Sequence, residues 1–74
     1  MKVNYEINDG YFYFICESEN SELVEQLLDE GFEVPEFYHL LDGSCRIAVR
    51  LPFFNRKQVI QKLIEIAREA QNEY

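Results

Sequence analysis

Two Asp-Gly pairs, Asp9-Gly10 and Asp42-Gly43, stand 33 residues apart, each between β-rich segments. An Asp-Gly flanked this way is a strong signal for a tight β-hairpin, because both residues tolerate positive φ. The surroundings of the two turns correspond as well. Tyr5 and Ile7 match Tyr38 and Leu40, while Phe12, Phe14 and Cys16 match Cys45, Ile47 and Val49. A helical pattern follows each hairpin, and Leu23-Val24 with Leu27-Leu28 align with Val59-Ile60 and Leu63-Ile64. Two copies are too few for a solenoid. The expectation is an α+β fold: one domain over residues 1–74, made of a ββα unit over 1–31 and a second over 32–74. Its two layers are a four-stranded antiparallel sheet and two helices on one face.

The first helix is expected from about Asn20 to Glu30, capped by Ser18, Asn20 or Ser21 and stopped by Gly31. The second is expected to start at Asn55, with Gln58 completing a capping box and Phe54 stapled to Val59. A polar first strand and Pro35 at the start of the third suit sheet edges. The second strand, apolar on both faces, suits the centre. These features favour the strand order 1-2-4-3 over 2-1-3-4.

Two-residue turns fix which side chains share a face. In the first hairpin they put Val3, Tyr5, Ile7, Phe12, Phe14 and Cys16 under the helices. The second hairpin repeats this only if Val34, Tyr38 and Leu40 point inward, with Phe37, His39 and Leu41 outward. The helix-free face is then apolar, carrying Tyr11, Tyr13, Ile15, Phe37, Leu41 and Ala48 beside His39, Arg46 and Arg50. A three-residue turn would exchange the faces.

Seventy-four residues leave one small core, and six Phe, five Tyr and 47% apolar content supply it. Only two cysteines are present, Cys16 and Cys45, and both read as reduced core thiols, which points to the cytoplasm. Met1-Lys2 leads straight into strand-like sequence without the apolar core of a signal peptide. The apolar run from Tyr11 to Cys16 is far too short to span a bilayer.

Charge is distributed unevenly. The net charge is −7: residues 1–43 hold eleven acids and one base, residues 44–74 six bases and three acids. Such a balance disfavours nucleic-acid binding driven by phosphate contacts. Glu17, Glu19, Glu22, Glu25 and Asp29 form an acidic ridge suited to a basic partner. Arg56 and Lys57 sit in the first turn of the second helix, where they oppose its dipole and are placed to meet an anion.

No catalytic set is legible. His39 is the only histidine, which excludes a multi-imidazole metal site. On the expected faces the sheet separates it from both thiols. The three glycines are absorbed by turns and a helix stop, leaving none for a phosphate loop. The expectation is therefore a non-enzymatic interaction domain without metal or cofactor. It would associate through the aromatic sheet face, as a homodimer or with a partner protein of basic surface; an acidic inhibitor of a nucleic-acid-binding target fits this physics. A sheet with aromatics and arginines in front also resembles the stacking platform of RNA-recognition domains, though their glycine-aromatic signature is missing. A small-molecule regulatory domain is a third reading.

Overall fold

The first Asp-Gly turn behaves as the sequence demands: Asp9 and Gly10 take φ of 47° and 81°, and Asn8 pairs with Tyr11. A computed structural model describes residues 2–18 and 20–71. Its elements are β1 (Val3–Asn8), β2 (Tyr11–Cys16), α1 (Ser21–Asp29), β3 (Glu36–His39), β4 (Cys45–Arg50) and α2 (Arg56–Gln71). The sheet has the order β1-β2-β4-β3, antiparallel throughout.

Its centre is the β2–β4 pair, where Phe12 faces Val49, Phe14 faces Ile47 and Cys16 faces Cys45. All six are fully buried, together with Leu23 and Leu27 of α1 and Leu63, Ile66 and Ala67 of α2. One core thus lies between the sheet and both helices. Asn20 caps α1, its side-chain oxygen accepting from the Leu23 N–H at 3.0 Å. Gly31, at φ 88°, closes the other end: its N–H donates to the Leu28 carbonyl and the Phe32 N–H to that of Leu27.

The second hairpin departs from the expectation. Leu40 pairs with Ser44, the Gly43 N–H donates to the Leu40 carbonyl, and Gly43 takes φ 91°, so the loop is Leu41-Asp42-Gly43. The Asp42 carboxylate accepts from the Ser44 hydroxyl at 2.6 Å and the Ser44 N–H at 3.0 Å. Those two bonds, the hydroxyl first, hold its carboxyl below the usual range. The extra residue turns β3 over. Phe37 and His39 lie opposite Ile47 and Cys45 on the helix side, and Tyr38 lies opposite Arg46 on the other. The expected faces of β3 are therefore corrected: Phe37 and His39 are not on the helix-free side, and Leu41 sits fully exposed at the loop.

The entry to α2 also differs. Asn55 takes φ 59° and its carbonyl accepts from the Val59 N–H, so the chain swings directly into the helix with no capping box. Phe54 remains 79% exposed and staples nothing.

Burial pushes the Cys16 thiol from 9.0 up to about 12, assisted by the charge of Cys45 and its hydrogen bond. The unfolded chain releases that proton near pH 9 and the folded chain only near 12. The stabilisation is thus complete below pH 9 and is lost as pH rises toward 12. In denaturant titrations across that window, wild type is expected to lose up to about 1.4 kcal/mol per pH unit more than Cys16→Ala. Equal slopes would refute the assignment.

Candidate interaction surface

Alternation along β2 turns Tyr11, Tyr13 and Ile15 away from the core, and the β4 register places Arg50, Ala48 and Arg46 opposite them. The side chains form a lattice. The Arg46 guanidinium lies 5.2 Å from the Tyr13 ring centre and that of Arg50 lies 5.3 Å from Tyr11, within cation–π range. The two tyrosine rings are 6.1 Å apart. Arg46 Nη2 also donates to Glu6 Oε2 at 2.6 Å, and Arg50 Nε reaches Glu33 Oε2 at 3.0 Å. Arg46 Nε is buried without an acceptor. Ala48 lies buried between larger neighbours, keeping the face flat.

Five expected residues, Tyr11, Tyr13, Ile15, Arg46 and Arg50, are thus brought together. Tyr38 and Glu36 join them from β3 in place of Phe37, His39 and Leu41. Sequence reasoning missed Tyr38 because both turns carry the same Asp-Gly. The one available signal was Ser44, whose N–H and hydroxyl both bond to Asp42.

The same inversion removes the expected separation of His39 from the thiols, since His39 now pairs with Cys45 in the ladder. Phe37 covers it edge-on at 5.4 Å. Cys45 is fully buried, and its thiol lies 3.4 Å from the Ser18 carbonyl. An accessible thiolate is what nucleophilic chemistry requires. Both thiols are instead fully buried.

Arg56 folds back on its own chain, Nε donating to the Pro52 carbonyl at 3.3 Å, which uses one of the donors proposed to meet an anion. Lys57 is exposed beside it, and Phe53 and Phe54 stand 88% and 79% exposed on the same loop. Glu17, Glu22, Glu25 and Asp29 are all exposed. Glu19 lies outside the described residues. Because Leu23 and Leu27 anchor α1 to the core, Glu22, Glu25 and Asp29 point away from the sheet. The helix part of the acidic ridge and the aromatic face therefore occupy opposite sides of the two layers.

Among the described residues, no three His, Cys, Asp or Glu side chains converge to hold a metal, and no helix is long and apolar enough to cross a membrane. The larger clefts, such as one of about 390 Å³ between Phe32, Arg50 and Val59, are grooves open to solvent. Comparison with protein-family models, curated proteins and solved structures found no match. The class of protein rests on its own geometry: a small two-layer α+β domain with a tyrosine-arginine lattice on its uncovered sheet face.

The lattice is unequal in strength. Arg46 is the more enclosed arginine and joins Glu6 to Tyr13, so Arg46→Ala is expected to destabilise the fold by about 1 kcal/mol. Arg50 is more exposed, and Arg50→Ala is expected to cost less than about 0.5 kcal/mol. Urea unfolding of both variants checks the order, and a reversed order would contradict it.

Proposed function

We propose that this chain is a non-enzymatic interaction domain of the cytoplasm that docks a partner protein on its uncovered sheet face. The observation that carries the reading is the Tyr11–Tyr13–Arg46–Arg50 lattice, extended by Ile15 and Tyr38. One-sided antiparallel sheets ordinarily present polar residues to water. Tyrosine and arginine are the residues that dominate the energetics of protein interfaces, since each combines a large contact area with a polar end. Here they are held in place by cation–π contacts and by Glu6 and Glu33, which lowers the ordering cost of binding. The acidic helix surface lies on the opposite layer, so a partner with a basic surface would meet a second contact region. Steering by that region would depend on salt.

The same geometry weighs against single-stranded nucleic acid. A stacked base needs a free ring face, and Arg46 and Arg50 already lie over Tyr13 and Tyr11. Both guanidinium charges are also engaged by carboxylates. The larger clefts among the described residues are open grooves, which lends a small-molecule role no support.

Affinity capture from cytosol tests the reading, with wild type compared against Tyr11→Asp/Tyr13→Asp and against Glu25→Lys/Asp29→Lys. The aromatic double variant is expected to lose the partner and the acidic-surface variant to keep it. Undiminished capture by the aromatic variant, or tight binding of a labelled single strand at low salt, would sink the proposal.

A further inference from the structure

The two edges of the sheet are unequally protected. β3 spans only four residues and follows Pro35, whose nitrogen carries no hydrogen. Short length and proline are common means of blunting an edge. β1 is six residues long, without proline, and nothing pairs with its outer side among the described residues. The Glu17 N–H donates to the Lys2 carbonyl, which makes Lys2, Asn4, Glu6 and Asn8 the residues bonded to β2. The N–H and C=O groups of Val3, Tyr5 and Ile7 therefore point outward. Their side chains lie on the helix side, where Tyr5 and Ile7 are each 45% exposed.

From these observations we infer that β1 is a self-association edge: it pairs antiparallel with β1 of a second copy about a two-fold axis at Tyr5. The register is self-complementary. It sets Tyr5 against Tyr5, Val3 against Ile7 and Asn4 against Glu6, and it leaves Lys2 opposite Asn8. No like charges meet on the strand, and each outward backbone group finds a partner. Shifting the axis to Glu6 would oppose two carboxylates and centre the pairing on a residue whose backbone groups are already bonded to β2.

A strand pair alone falls short of the roughly 1,000 Å² that a stable interface needs. The adjoining flank of α2 supplies more. Val3, Tyr5, Ala67, Arg68 and Gln71 line a cleft of about 400 Å³ between β1 and α2. Ile64, Glu65 and Arg68 line an adjacent groove on the same helix. The two-fold axis brings two such flanks together antiparallel. Half-buried Ile64 then gains apolar contact, and Arg68 of each copy comes within reach of the other's Glu65. An isologous contact of this kind closes at a dimer, in contrast to a β1-to-β3 contact, which would propagate.

Sedimentation equilibrium of the whole chain is expected to show a monomer–dimer equilibrium, and Ile7→Lys to weaken it at least about tenfold. Tyr5→Cys is expected to give a disulfide-linked dimer on mild oxidation, because the register sets the two residues face to face. Asn8→Cys, displaced from the axis, is expected not to cross-link. Far-ultraviolet circular dichroism confirms that each variant is folded. A strictly monomeric wild type, a ladder of higher oligomers, or equal cross-linking at both positions would overturn the inference. So would a dimer abolished by Tyr11→Asp/Tyr13→Asp and untouched by Ile7→Lys. Partner capture by the aromatic face does not use the outward backbone groups of β1, so that reading stands or falls on its own experiment.

Discussion

The structure hangs on the pairing of β2 with β4. These strands are the second of each hairpin, and their six-residue register joins two units that have no other continuous sheet contact. Phe12, Phe14 and Cys16 lie directly against Val49, Ile47 and Cys45, and both helices close over that patch. A two-stranded hairpin by itself is marginally stable at best in water. Joined at this seam, the units share one core, and the first strand of each is left at an edge. The seam also creates the uncovered face, since the residues between those buried pairs must point the other way.

A single residue breaks the symmetry of the two copies. The first hairpin turns on two residues, the second on three, and because side chains alternate with a period of two, the second outer strand is inverted. Phe37 moves beneath the sheet and Tyr38 emerges above it. The aromatic face becomes smaller and more polar than a symmetric repeat would give, and richer in tyrosine. The edges diverge as well: β3 is short and proline-bounded, and β1 is longer and unpaired on its outer side among the described residues.

Charge asymmetry is partly consumed within the molecule. Arg46 pairs with Glu6, Arg50 with Glu33 and Lys62 with Glu30, each joining a base of the second half to an acid of the first. Exposed pairs of this kind contribute little to stability, between about 0 and 1 kcal/mol each. Their effect is on position: they fix the arginines over the tyrosines and tie α2 to the end of α1. Among the acids outside these pairs, Glu22, Glu25 and Asp29 share the outer surface of α1.

Much of this was legible in the residues alone. Element order, strand order, the first register, a polar cap among Ser18, Asn20 and Ser21, and the Gly31 stop all follow from local chemistry and from periodicity, which act over a few residues. So does the membership of Tyr11, Tyr13, Ile15, Arg46 and Arg50 in one face. The face of β3 and the entry to α2 were not legible. An Asp-Gly pair suits a loop of either two or three residues, and Ser44 decided the matter by bonding to Asp42. Asn55 takes a positive φ that its neighbours in the sequence do not announce. The sequence by itself determined which residues are buried in the central strands. Only the tertiary structure decided what surrounds them, because surfaces are assembled from strands distant in the chain, and a one-residue change in a turn reassigns every side chain beyond it.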